Sequence, residues 1–400
     1  MFITVLIFGL ILGILIFVHE LGHFITARRN GVTSHEFGFG FPPRVIGVVK
    51  DAQTEKWRVI FGNREYYGSK TLYSLNLIPL GGFVRIKGES PIDERDVKNF
   101  DQLSAADKEY VQMAKDPDSF AMQSKFVRFK ILVAGVTMNF LLAWVLISIV
   151  LMIGAPEPYD ETINPNQIVE TIGVQIVEVK SESPAEEIGI KVGDTVKQVC
   201  VRDVCAKITK TDQLMSAINS NRGIEIAVHV LRGKETVVAR GTPRTEVIEG
   251  QGALGIAMSE TVLVRYVWYQ AMWEGFMRVL TLIAVICVAF GQLIASLVTG
   301  GGVSAEIAGP VGIAMMTQQM RDLGFVYLLQ FAAILSVNLG IINALPIPAL
   351  DGGRIFFLAI EKIKGSPVNQ KIEGIIHSTF FIALLLLMAV ITFRDVVKLF

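Results

Sequence analysis

An unbroken apolar run, MFITVLIFGLILGILIFV over residues 1–18, leads straight into His19-Glu20-Leu21-Gly22-His23. A run this long is about what a helix needs to cross the hydrocarbon core of a bilayer, where each backbone polar group must be satisfied inside the segment. Residues four apart on a helix share a face, so His19 and His23 present two imidazoles to one point with Glu20 close beside them. This is the H-E-x-x-H zinc pattern, with Glu20 as the proton acceptor. The bare pattern also occurs by chance on solvated helices. At the end of a membrane-length run, where ionisable side chains are costly, it marks a candidate site. No basic residues precede the run, no small-residue cleavage site ends it, and Arg28 and Arg29 follow it. A retained membrane helix over residues 1–27 is therefore expected instead of a cleaved leader.

The rest of the chain supports a membrane reading. Hydrophobic residues make up 52% and charged residues 18%, against about 25% charged in soluble domains. The 37 basic and 37 acidic residues cancel, so no global charge points to nucleic acid. Cys200, Cys205 and Cys287 are too few and scattered for a disulfide scaffold or a cysteine zinc site. Cys200 and Cys205 are close enough to pair in an oxidising compartment, and equally readable as two small buried apolar residues.

The expected fold is a polytopic α-helical membrane protein with about four transmembrane helices, a membrane-associated β-hairpin and an inserted soluble α+β domain. Further spans are expected at 129–156, 324–350 and 374–394. A cytoplasmic region, 28–128, carries SLNLIPLGGFVRIKGE, whose β-branched residues around a Pro-Leu-Gly-Gly turn signal predict a hairpin over about 72–89. A solvated helical linker is expected from Glu89 to Ser124. Arg28 and Arg29, then Lys125, Arg128 and Lys130, then Arg354, Lys362 and Lys364 flank the apolar runs. By the positive-inside rule all three groups are cytoplasmic, which puts the N-terminus and the soluble domain outside. A crossing by 262–300 would carry Asp351 to the wrong side, so that stretch, opening with RYVWYQAMWEGFMR, is expected to lie on or dip into the outer face.

Two imidazoles leave a tetrahedral zinc short of a third protein ligand if one position is kept for water. Asp351, in NALPIPALDGGR (343–354), is the only acid at the end of its apolar run and falls on the same side as His19 and His23. Two imidazoles and a carboxylate suit Zn2+, and non-haem iron would accept the same donors.

Residues 165–245 alternate β-patterned pieces with SPAEEIGIKVGD and a helix-like TDQLMSAINSN, an order that resembles a bacterial PDZ domain. The resemblance implies that Thr171, Ile172 and Gly173 form a loop that receives a peptide C-terminus. The alternative is a small β domain that filters by size and binds no peptide.

Across nearly its whole length the chain resembles the site-2 protease family of intramembrane zinc metalloproteases, of the bacterial RseP type. The resemblance rests on FVHELGHF (17–24), EFGFGF (36–41), IPLGGFVRIKGE (78–89), FVRFKILVAGVTMNF (126–140), GPVGIA (309–314) and SVNLGIINALPIPALDGGR (336–354). It implies zinc held by His19, His23 and Asp351, with Glu20 as catalytic base. It also implies substrate contacts from Asn338, Asn343 and Asn139, and from a hairpin turn at Pro79, Leu80, Gly81 and Gly82. The implied activity is zinc-dependent cleavage of single-span membrane proteins within or near the bilayer, such as pre-trimmed anti-sigma factors or remnant signal peptides, in a bacterial inner membrane. Members of this type often carry two PDZ domains, whereas this chain has room for one. The rival readings are a non-catalytic membrane adaptor built around the PDZ-like domain, and a metal transporter, which the absence of an internal repeat disfavours.

Overall fold

The computed structural model describes residues 2–51, 54–62, 66, 70–89, 115–202, 204–233, 235–246, 252–299, 308–366, 368 and 370–397. The expected linker helix between Glu89 and Ser124 falls largely outside them. The chain divides into two compact units: Met1–Val145, Arg278–Thr317 and Ala332–Phe400 form the first, Leu146–Met277 and Gln318–Phe331 the second. Among the described residues five helices are long and apolar enough to cross a membrane, as a multi-pass membrane protein requires, and β-sheets are inserted between them. Helix α1 (Phe2–Arg29) contains the first apolar run. It stops where Gly31 takes φ +77° and the Val32 N–H reaches back to the Ala27 carbonyl, the left-handed closure that glycine permits at a helix C-terminus.

In the first unit, β1 (Ser34–Lys50), β2 (Trp57–Phe61) and β3 (Leu72–Ile86) form a sheet in the order β2-β1-β3. The expected hairpin takes a different form. Glu36–Phe39 of β1 is in register with Arg85–Gly82 on one side and with Leu72–Leu75 on the other. The two legs of β3 on either side of Pro79–Gly82 are thus separated by β1 and do not pair with each other. Gly81, at φ +93°, lies against the Ile16 side chain of α1, which leaves no room for a Cβ. Inside β1, the Glu36 and Arg44 side chains form a two-pronged ion pair, Nε to Oε1 at 3.0 Å and an Nη to Oε2 at 2.7 Å, with both side chains under 5% exposed.

Helix α2 (Lys125–Ile153) packs tightly on α1. A Cβ on Gly22 would run into the Ala134 carbonyl and the Met138 side chain. Helix α7 (Phe325–Ala344) continues this packing: a side chain on Gly340 would strike the Phe140 ring. It ends where Pro346 and Pro348 follow, since proline supplies no N–H to continue the ladder. Helix α8 (Asp351–Lys364) starts at the candidate ligand, and α9 (Gln370–Val397) ends with Asp395 accepting the Gly312 N–H of α6 (Pro310–Leu323).

The second unit holds a seven-stranded sheet, ordered β4-β10-β5-β6-β8-β9 with β7 on β6: β4 (Ala155–Pro158), β5 (Ile168–Val179), β6 (Thr195–Val201), β7 (Val204–Lys207), β8 (Ile226–Arg232), β9 (Glu235–Gly241) and β10 (Ile256–Val264). Its core gathers Val174, Ile176, Val196, Ile226, Val228 and Val230. Helix α4 (Thr211–Ser220) adds Leu214 and Ile218, four residues apart and therefore on one face. Helix α3 (Pro184–Glu187) is capped by the Ser183 hydroxyl accepting the Glu186 N–H. The domain is larger than residues 165–245, because β4 and β10 join its sheet from the flanks. Helix α5 (Trp268–Thr299) is one continuous helix of 32 residues and begins only after β10, six residues later than expected.

Candidate metal centre

Helix α1 brings His19 and His23 to one face, both 6% exposed, and the turn after α7 brings Asp351 to them across 332 residues of chain. His19 Nε2 lies 2.9 Å from Asp351 Oδ2, His23 Nε2 lies 3.2 Å from the same oxygen, and the two Nε2 atoms are 3.1 Å apart. Donors about 2.0–2.1 Å from a tetrahedral zinc stand about 3.3 Å from one another. The three atoms therefore already have the spacing of one face of a zinc tetrahedron.

The outer hydrogen bonds of both rings fit a metal as well. His23 Nδ1 lies 2.8 Å from the Ile131 carbonyl, so it carries the proton and leaves Nε2 with a free lone pair. His19 Nδ1 lies 3.1 Å from the Asn139 side-chain nitrogen, while Asn139 Oδ1 is buried with no partner. Amide nitrogen and oxygen are exchangeable assignments. Turning this amide over lets Oδ1 accept the Nδ1 proton, which frees His19 Nε2 too. Asn139 is fully buried and its carbonyl accepts the Ser336 hydroxyl at 2.8 Å. It was expected on substrate; its side chain lies against His19, one of the candidate ligands.

A cavity of about 380 Å3 opens beside the three donors and is lined by Glu20, Val84, Leu339, Asn343 and Arg354 among others. Glu20 Oε2 accepts the Val84 N–H at 3.2 Å, which ties the carboxylate to the second leg of β3. Asn343 lines the cavity one turn after Leu339, whereas Asn338 is half-buried on α7 and does not line it. Gly81 and Gly82 are buried close to α1; Pro79 and Leu80 belong to β3, with side chains outside the described residues. Thr171, Ile172 and Gly173 do not form a loop. They lie within β5, with Gly173 opposite Thr261 and Thr171 opposite Val262 of β10, and Ile172 at the bulge between them.

Sequence reasoning missed the Glu89–Arg354 ion pair, whose two members both line the cavity. Burial opposes the Arg354 charge, but the carboxylates of Glu89 and Asp351 outweigh it and hold the guanidinium above its ordinary value. Arg354 drew notice only as a basic flank, because the sequence gives no sign that Glu89 lies opposite. Gly135 of α2 was also missed. A Cβ there would come within 2.7 Å of His19 Nε2 and closer still to His23 Nε2. Gly135→Ala is therefore expected to lower zinc affinity and turnover at least tenfold without removing a functional group, read by zinc titration and a cleavage assay; unchanged affinity would mean that α2 yields freely.

Residues 7–387 match the model of peptidase family M50. The chain is 28% identical to the zinc metalloprotease RasP of Geobacillus kaustophilus over 460 residues, covering 99% of this chain and 98% of that protein. It is 30% identical to the regulator of sigma-W protease RasP of Bacillus subtilis over 464 residues, with 99% of each covered. The chain belongs to peptidase family M50, the site-2 protease family, and is a zinc metalloendopeptidase.

Proposed function

We propose that this protein hydrolyses peptide bonds of single-span membrane proteins inside the bilayer, with His19, His23 and Asp351 as zinc ligands and Glu20 as general base. The observation that carries the reading is the convergence of two helical imidazoles and a distant carboxylate at the ends of apolar helices. Zinc bound there would polarise the scissile carbonyl and acidify water. Glu20 takes the proton from the attacking water and passes it to the leaving nitrogen. A peptide bond in a transmembrane helix is already hydrogen-bonded, so the substrate must unwind first. Asn343 and the β3 leg that holds Val84 supply donors and acceptors for the backbone groups this frees.

Orientation follows from charge and covalent chemistry. Arg28 and Arg29 end α1, Lys130 near the start of α2 donates to Asn30 Oδ1 at 2.6 Å, and Lys125 and Arg128 pair with Glu361 of α8. These basic ends belong on the cytoplasmic side of an inner membrane. The Cys200–Cys205 disulfide of the β6–β7 hairpin suits an oxidising outer compartment. Four helices then cross, and α5 lies on or dips into the outer face. The β domain, in this reading a PDZ-like module, admits substrates whose outer part has been removed. The name of the Bacillus subtilis relative ties that protein to a sigma factor; for this chain the proposed substrates are pre-trimmed anti-sigma factors or remnant signal peptides.

The test is incubation of purified full-length protein in detergent with a single-span substrate, trimmed or carrying its outer domain, with and without a zinc chelator. The expected result is cleavage within the span of the trimmed form alone, blocked by the chelator. Cleavage outside the span, or insensitivity to chelation, contradicts the proposal.

A further inference from the structure

The turn that delivers Asp351 is held from outside by a residue with no place in the chemistry above. After α7 the chain passes through Leu345-Pro346-Ile347-Pro348-Ala349-Leu350 before α8 begins. The turn is tight: a Cβ on Gly352 would collide with the Leu345 carbonyl, and one on Gly353 with the Ile347 carbonyl. Ala349, two residues before the ligand, takes φ +87°. Residues with a Cβ avoid that region, and such a conformation persists only where the surroundings impose it.

The turn has backbone bonds of its own, Leu350 N–H to the Ile347 carbonyl and Gly353 N–H to the Leu350 carbonyl, and one side chain from the last helix holds Ala349 itself. The Ala349 N–H donates to His377 Nδ1 at 2.7 Å. His377 belongs to α9, 28 residues further on, and its ring lies against Phe357 of α8 with centroids 5.6 Å apart. Accepting at Nδ1 requires the neutral tautomer that carries its proton on Nε2. Nε2 has no hydrogen-bond partner among the described residues, the Glu373 carboxylate being 3.8 Å away. Among the described residues the ring's one hydrogen bond is thus the one to the turn that carries Asp351.

We propose that His377 is a positioning residue for the metal centre: by accepting the Ala349 N–H it locks the turn that aims Asp351 at His19 and His23. The inference rests on the reading of Asp351 as a ligand. It makes α9 part of the site, although among the described residues no α9 side chain lines the cavity beside the three donors. Partners that orient a ligand are worth about 10- to 100-fold in metal affinity or activity, and a lock two residues from the carboxylate acts in the same way.

Asparagine discriminates positioning from packing, because its Oδ1 sits about where Nδ1 does and accepts the same N–H. Purified full-length wild type, His377→Ala, His377→Asn and Asp351→Ala are compared by zinc titration, by the visible absorption spectrum after loading with Co2+, and by kcat and KM. His377→Ala is expected to weaken zinc binding about 10- to 100-fold, alter the cobalt spectrum and lower kcat with little change in KM, while His377→Asn recovers most of each. If His377→Ala binds both metals like wild type, or His377→Asn is no better than His377→Ala, the positioning role is wrong. Asp351→Ala keeps the two failures apart. Wild-type zinc affinity in that variant removes the ligand reading itself, whereas lost affinity there with a normal His377→Ala removes only this inference.

Discussion

Glu20→Gln is expected to lose cleavage activity by about 100- to 10,000-fold, the usual worth of a positioned general base, while zinc content stays at the wild-type level. The separation follows from the geometry. His19, His23 and Asp351 meet within 3.2 Å of one another, and Glu20 is not among them; its carboxylate is held instead by the Val84 N–H. Glutamine keeps a carbonyl oxygen to accept that N–H, so β3 stays in register beside the cavity. What disappears is the ability to take a proton. Turnover and bound zinc, measured on the same preparation, check the expectation. Residual activity within a few fold of wild type would mean that another group is the base.

The second large effect concerns stability. Arg44→Leu is expected to cost about 3–5 kcal/mol, the range found when one partner of a buried ion pair is removed and the other charge is left without compensation. Glu36 is 1% exposed, and both its carboxylate oxygens accept from the one guanidinium. The double variant Glu36→Leu/Arg44→Leu is expected to recover much of the loss, because no charge remains stranded. Thermal unfolding of the two proteins in detergent tests this. Equal destabilisation would locate the cost in packing at the bend of β1. Either way the sheet matters to the site, since Phe37 pairs with Val84, whose N–H holds Glu20.

Most of the site was legible in the sequence because its signals are local. Helical spacing alone puts His19 and His23 on one face, and Asp351 stood out as the lone acid at the end of an apolar run. What the sequence did not disclose depends on register between distant segments. The legs of β3 are individually strand-like, but nothing in them says that β1 lies between. Strands β4 and β10 lie outside the stretch that reads as a soluble domain, and their pairing with each other and with β5 enlarges it. It also puts Thr171–Gly173, which the PDZ resemblance makes a loop, into a strand with a bulge. Asn139 reads as a polar group available to substrate because sequence carries no burial; the fold puts it behind His19. Ala349 and His377 gave no signal, since neither a left-handed backbone nor a hydrogen bond across 28 residues has a local signature. Helix α5 meets the length and composition of a span, so hydropathy alone counts one crossing more than the flanking charges allow.

His19, His23 and Asp351 are assigned to hold the ion, and Glu20 is left free to move a proton. The most direct measurement is the zinc content of purified wild-type, Glu20→Gln and Asp351→Ala proteins after dialysis against a chelator of intermediate strength. About one zinc per chain in the first two and loss from the third is the predicted result. Zinc retained in Asp351→Ala at the wild-type level, or lost from Glu20→Gln, would contradict the assignment of ligand and base.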